Sequence, residues 1–311
     1  MANIIRTIKV FEALRGHESE LRHVSMILNN NRSRKMKFNQ NHYEFDSMSD
    51  TQKFMIAFFQ IIWPYSTYRV CVDGGANDFI SLCPQNESIE NQRTSSLDRQ
   101  AKSMQNGDMS ENLPTTLNDG DVQITFPDLV CGDFDSISKT TLDYLKANHC
   151  TVIETPDQNF TDFEKALCIL VESGHLTGID AVYAVCLLSG QIDHTLSNLS
   201  ILYKANHLLE CIPLYLFSDV DVTFLISDTS SKWIHIDAKS EFSVNRCSII
   251  PIMGTSLVWT RGLYWDLDGN SLLFGHFISI SNKFKLEHEF DIKIEGSPVL
   301  ITIGHDIAKY M

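Results

Sequence analysis

Long apolar runs are missing from this 311-residue sequence. None approaches the roughly 20 residues a membrane-spanning helix requires, which argues for a soluble globular chain and against a membrane partner. Positive charge is also scarce: 25 Lys and Arg stand against 39 Asp and Glu, a formal net charge of -14. A broad nucleic-acid surface would demand clustered basic residues, so that class of partner is disfavoured, while a small anion held through a cation is not. The eight cysteines, at positions 71, 83, 131, 150, 168, 186, 211 and 247, include no Cys-x-x-Cys pair. Several fall inside apolar strand-like runs, and together they read as reduced, buried small hydrophobes of a cytoplasmic protein. Met1 to Leu21 lacks the apolar core of a secretory signal. Its Arg6, Lys9 and Arg15 are interrupted by Glu12, Glu18 and Glu20, unlike a mitochondrial presequence.

What is present divides by hydrophobic period. Val24 to Leu28, Arg69 to Val72, Asp128 to Cys131, Thr151 to Glu154, Ala181 to Leu188 and Leu214 to Phe217 are short apolar or β-branched runs. Helical patterns lie between several of them, the clearest being Phe163, Ala166, Leu167, Leu170 and Val171. Strand alternating with helix predicts a mostly parallel sheet with flanking helices, a Rossmann-like α/β unit. After about residue 220 the helical period stops. Phe290 to Glu295 alternates strictly, Asp268-Gly269-Asn270 has hairpin-turn chemistry, and glycines punctuate short runs, so an antiparallel all-β sandwich is expected there. The implied organisation is an N-terminal extension over 1–22, an α/β nucleotide-binding domain over 23–220 and a β-sandwich over 221–311. Two polar insertions interrupt the α/β part. One lies near 30–48, with Arg32, Arg34, Lys35 and Lys37, and reads as a solvated loop. The other, 85–121, is rich in Asn, Ser, Asp and Gln and too poor in aliphatics to offset its ordering entropy.

Acids gather where the strands end. In Cys131-Gly132-Asp133-Phe134-Asp135-Ser136 the carboxylates of Asp133 and Asp135 would share one side of an extended segment. In an open parallel sheet that end of the strands is where ligands bind. Carboxylates collected there repel one another unless a hard cation such as Mg²⁺ neutralises them, and Mg²⁺ usually completes its shell with water and substrate phosphate. The bland alternative is a turn in which Asp135 or Ser136 caps the next helix. Asp73-Gly74-Gly75-Ala76-Asn77 follows a strand and opens a short helix, either to let backbone amides approach a phosphate or because a tight turn needs Gly at positive φ. In Thr155-Pro156-Asp157-Gln158 through Lys165, Thr161 and Glu164 have capping-box spacing. Asp162 then sits in the first helical turn, where the helix dipole alone would favour it, or faces the same crevice as Asp133 and Asp135. Ser189-Gly190-Gln191-Ile192-Asp193-His194-Thr195 precedes another helix starting near Thr195. His194 there is either a general base or a cap. In the β unit Trp265 offers a flat face to a heteroaromatic cation, although a tryptophan in such a run is by default core.

Taken in order, Asp-Gly-Gly-Ala-Asn, Gly-Asp-Phe-Asp-Ser, Thr-Pro-Asp-Gln-x-x-Thr-Asp, a Gly-x-x-Asp loop and a late Gly-Leu-x-Trp-x-Leu resemble the thiamine pyrophosphokinase family, from about Val24 to Ile303 outside the insertions. The resemblance implies an Mg²⁺-dependent transfer of pyrophosphate from ATP to the hydroxyl of thiamine, with AMP leaving, in a homodimer whose active sites are shared. It implies Asp133, Asp135 and Asp162 as metal ligands, with Asp73 close by. Gly74, Gly75, Asn77, Gln158, Thr161, Lys165, Gly190 and Gln191 would bind the nucleotide, and Asp193, Trp265, Ser281 and Asn282 would bind thiamine. The chain departs from the family pattern at Ser189 and Gln191, where Gly and Arg are common, and at Ile280, where a small polar residue is usual. Two other readings stay open on the sequence. Asp133 and Asp135 could be nucleophile and acid of a haloacid-dehalogenase-like phosphohydrolase, or the chain could be a sensor that has lost turnover.

Overall fold

The computed structural model describes residues 4–12, 21–28, 49–82, 125–186, 191–210, 212–227, 229 and 232–310. Both predicted insertions, and Gly190, lie outside them.

Six parallel strands form the predicted α/β sheet: β2 (His23–Ile27), β3 (Tyr68–Val72), β4 (Leu129–Gly132), β5 (Thr151–Glu154), β6 (Ala181–Val185) and β7 (Leu214–Phe217). Their spatial order is β7-β6-β2-β3-β4-β5, so the chain works outward from β2 in one direction and then crosses back to the other side. The central strands β2, β4 and β6 are buried along their whole length, which is why they read as unbroken apolar runs. Among the described residues, helices α1 (Asp50–Ile61), α2 (Gly75–Leu82), α3 (Lys139–Ala147), α4 (Asp162–Glu172) and α5 (Ile192–Leu208) provide the crossovers. α4 buries Phe163, Ala166, Leu167 and Leu170 as the period predicts, whereas Val171 faces outward and is exposed.

The sheet does not stop at residue 220. β8 (Asp221–Ile226) pairs antiparallel with β7, and β15 (Val299–His305), β10 (Ser243–Ile250) and β13 (Ser279–Asn282) extend it to ten strands. A second sheet has five strands in the order β1-β9-β14-β11-β12, built from β1 (Ile4–Lys9), β9 (Trp233–Asp237), β11 (Ser256–Arg261), β12 (Asp268–Leu272) and β14 (Glu289–Gly296). Its inward residues Ile234, Ile236, Val258, Ile292 and Ile294 share one core with Phe224, Cys247, Ile249, Ile301 and Ile303 of the large sheet, which makes the sandwich. Residues 1–22, read as an extension, supply β1, which runs parallel to β9.

Asp268-Gly269-Asn270 is not a hairpin turn. These residues lie in β12, where Trp259 pairs with Asp268 and Val258 with Asn270, leaving Gly269 as a bulge at φ 71°. The turn-forming glycine is used for a positive-φ bulge because any Cβ there would press on the Trp259 ring at 3.2 Å. No helix among the described residues is long and apolar enough to cross a membrane. The six described cysteines are free thiols and all but the half-buried Cys168 are buried; Cys83 and Cys211 lie outside the described residues.

Candidate active site

Three acids converge beyond the carboxyl ends of β3, β4 and β5. One carboxylate oxygen each from Asp73, Asp133 and Asp162 lies within 4.8 Å of the others. Asp73 follows β3, Asp133 follows β4, and Asp162 opens α4 after Thr161, whose hydroxyl accepts the Glu164 amide as an N-cap. The expected trio of Asp133, Asp135 and Asp162 is therefore drawn differently. Phe134 has φ 62° rather than an extended conformation, and Asp135 is not in the group of three approaching oxygens; it accepts a hydrogen bond from Ser136 Oγ at 2.7 Å. Asp73 takes the third place in the cluster. The next helix is capped by Ser138, not by Asp135 or Ser136.

The cluster is electrostatically loaded. Asp73 is only 2% exposed, and burial pushes its carboxyl pKa up; the Gly74 amide and Ser136 hydroxyl counter this, while the charges of Asp162 and Asp135 add to it. Asp133 moves the other way, because Gln158 Nε2 donates to its Oδ2 at 2.8 Å and favours the charged form. Two residues on the rim, Asp73 (φ 44°) and Phe134 (φ 62°), hold the left-handed backbone that non-glycine residues avoid. Such conformations persist where the surroundings over-determine them and gather at functional sites.

Glycine placement explains part of the local design. Gly75 does not supply a positive φ; its missing Cβ lets α2 sit against β2, since a Cβ would stand 2.3 Å from the Ile27 carbonyl oxygen. Gly132, at φ 152°, leaves room for Asp73, whose Cβ would be 2.8 Å from an added methyl. Its place immediately before Asp133 is the only sequence signal for this role.

Several residues implied as ligand contacts also make bonds that brace the site. Asn77 donates through Nδ2 to Ser136 O at 2.8 Å and accepts at Oδ1 from Ser138 N–H and Thr141 Oγ1, tying α2 to the loop that carries Asp133 and Asp135. Lys165 is 8% exposed and its ammonium meets Thr155 O, Asp157 O and Asp162 Oδ1. Asn282 is 1% exposed and both its side-chain polar atoms bond within the protein. Gln191 occupies the N-cap position of α5 without a side-chain cap bond, so the helix starts three residues before the predicted Thr195. Asp193 and His194 lie in its exposed first turn, with the Asp193 carboxylate accepting the His194 amide.

Trp265 is not core. It is 58% exposed, with the Tyr264 ring 5.7 Å away, and Ser281 (φ 55°) and Ile280 (60% exposed) stand out from the neighbouring β13. This group is not gathered with the acids. Eight strand intervals separate β4 from β13 in the ten-stranded sheet, roughly 40 Å at the usual spacing.

Known proteins share both sequence and architecture with this chain. The family model described as "Thiamin pyrophosphokinase, catalytic domain" matches residues 59–215, and that described as "Thiamin pyrophosphokinase, vitamin B1 binding domain" matches residues 234–297. Thiamine pyrophosphokinase 3 of Oryza sativa subsp. japonica is 29% identical over 250 residues, 79% of this chain and 79% of the relative. Thiamine pyrophosphokinase 1 of Arabidopsis thaliana is 28% identical over 235 residues, 74% of this chain and 76% of the relative. Among solved structures, yeast thiamin pyrophosphokinase aligns with a TM-score of 0.69 at 17% identity, over 100% of this chain and 95% of its own. The enzyme from Candida albicans aligns with a TM-score of 0.64 at 18% identity, over 97% and 93%. At such identities the structural matches speak to the fold.

Proposed function

The chain belongs to the thiamin pyrophosphokinase family and is a thiamine diphosphokinase, and on that premise we propose that the Asp73–Asp133–Asp162 cluster is its Mg²⁺ site, with Asp135 alongside. The observation that carries this is the approach of the three carboxylates, all hard oxygen donors of the kind Mg²⁺ takes together with substrate phosphate. When bound, the ion would neutralise and align the polyphosphate of ATP. The protein's own residues do the positioning. The Gly74-Gly75 turn brings backbone close at the start of α2, Thr161 and Gln158 border the cluster, and Gln191 lies at the entry to α5. Attack by the thiamine hydroxyl on the β-phosphorus, with AMP leaving, depends chiefly on alignment and charge. For the hydroxyl proton, a carboxylate of the cluster such as Asp73 is as well placed as the exposed His194.

Thiamine is read as resting against Trp265, with Ser281 and Asp193 nearby and Asn282 holding the Trp265 loop in place. Within one chain Trp265 and Ser281, beside β13, lie too far from the acids to serve one pair of small substrates, which supports a homodimer in which the β unit of one copy faces the acids, and Asp193 at the start of α5, of the other. The exposed apolar side chains Tyr264, Phe274, Phe277 and Ile280 around that loop fit the same arrangement. A cytoplasmic location is part of the reading, in keeping with the free thiols. The phosphohydrolase alternative falls with the family assignment.

The test is AMP and thiamine diphosphate production by purified protein given ATP, Mg²⁺ and thiamine, beside Asp133→Asn and Trp265→Ala. Asp133→Asn is expected to be inactive, and Trp265→Ala to lose most of its product at thiamine concentrations well below its raised KM. Mixing them should restore product if sites are shared; a monomer in sedimentation at micromolar concentration, or no recovery on mixing, refutes the shared site.

A further inference from the structure

We infer that Lys165 is a positioning residue for the acidic cluster and not a ligand of the nucleotide phosphates; this rests on the proposed reading of that cluster as the Mg²⁺ site. An ammonium group has three N–H donors and no acceptor. In Lys165 the three meet Asp162 Oδ1 at 2.7 Å, Thr155 O at 2.7 Å and Asp157 O at 3.0 Å. The side chain is 9% exposed. Turning it toward a phosphate would break all three contacts and strip two main-chain carbonyls of a charge-assisted partner, the costly direction of hydrogen-bond exchange.

Where those bonds lead explains the placement. Thr155 and Asp157 bracket the turn that presents Gln158, and Gln158 Nε2 holds Asp133 Oδ2 at 2.8 Å. Asp162 Oδ1, the oxygen that Lys165 grips, also accepts the Asp133 amide at 3.1 Å. One buried cation therefore fixes two of the three acids, Asp162 directly and Asp133 through the Gln158 turn. It leaves Asp162 Oδ2 outside these bonds. This is the outer-shell arrangement that orients carboxylate ligands and sets their affinity.

The test is Mn²⁺ titration of the nucleotide-free protein by electron paramagnetic resonance, wild type against Lys165→Met, joined to steady-state kinetics. A positioning role predicts Mn²⁺ affinity weakened by about 10–100-fold, kcat lowered at limiting metal, and a KM for ATP near the wild-type value once metal is saturating. Unchanged Mn²⁺ affinity with KM for ATP raised about tenfold or more, as loss of a charged phosphate contact would give, overturns the inference. Wild type that binds no Mn²⁺ overturns it too. Should Lys165→Met fail to fold, a crystal structure of the wild type with Mg²⁺ and a non-hydrolysable ATP analogue decides: Nζ stays on Thr155 O and Asp157 O, or it moves to a phosphate oxygen and the inference is wrong. Failure of the proposed function shows differently, as absence of AMP and thiamine diphosphate from the wild type even where Mn²⁺ binding responds to Lys165.

Discussion

Asn282 grips Trp265 by both sides of one residue: its Oδ1 accepts the Trp265 amide at 3.2 Å and its Nδ2 donates to the Trp265 carbonyl at 2.9 Å. The same Oδ1 accepts the Lys283 amide at 2.8 Å. The buried amide and the exposed indole therefore form one device, and replacing each should fail in its own way. Trp265→Ala is expected to raise KM for thiamine about tenfold while leaving thermal stability unchanged, since the ring is mostly in solvent. Asn282→Ala leaves main-chain groups unpaired and should destabilise by about 1–3 kcal/mol, with a KM effect that follows from the loosened loop. Denaturation curves beside thiamine kinetics separate the two.

Asp73→Asn is expected to abolish activity, on the order of a thousandfold, while stabilising the metal-free protein. The sign follows from its raised pKa. Between the unfolded value of 3.8 and the higher folded value the folded state binds more protons, so stability falls as pH rises through that window and stays lower above it. Asparagine removes the penalty. A melting temperature at pH 7 without metal that is lower than wild type would contradict this.

Gly132→Ala should be costly although it adds one methyl. The backbone is at φ 152° and the new Cβ would sit 2.8 Å from Asp73 Cβ. Strain of about 1–3 kcal/mol and displacement of the Asp73 carboxylate, worth on the order of a hundredfold in rate, are the expected outcome in urea unfolding and in AMP release.

His305 supplies the acid limit. It is buried against Phe54, Phe11 and Phe217, and burial lowers its pKa to about 4 from 6.5. The unfolded chain takes up this proton first, so its contribution is fully present above pH 6.5 and is lost as pH falls toward 4, by about 3 kcal/mol in all. His305→Phe should flatten that part of the stability–pH curve; an unchanged slope in chemical denaturation between these pH values refutes the assignment.

How much of this was legible depended on how local its cause was. β5 and β7 appear in the sequence with the bounds they have in the fold; for β7 a short apolar run between polar breaks is a buried strand's requirement, and for the exposed edge strand β5 the β-branched Thr151, Val152 and Ile153 suffice. The Thr161 cap was visible for the same reason. β1 was not, since its partner β9 lies more than two hundred residues away and Ile4 to Lys9 carries no period of its own. The sequence groups Asp135 with Asp133 and Asp162 and sets Asp73 beside them, whereas the approaching oxygens belong to Asp73, Asp133 and Asp162; the positive φ of Phe134 between the two acids is no local signal. Lys165, Asn77 and Asn282 show the deeper ambiguity. A polar side chain in a motif looks alike in sequence whether it touches the substrate or holds the residue that does.

The parallel pairing of β1 with β9 also bears on how the protein is made. Ile4 and Trp233 are 229 positions apart. At about 5–20 residues per second, a ribosome delivers β9 roughly 10–50 s after β1. Through that interval Val10 and Phe11, buried in the finished protein, emerge with no β9 to cover them, so β1 finds its place only long after it is made and its apolar residues are open to a chaperone until then.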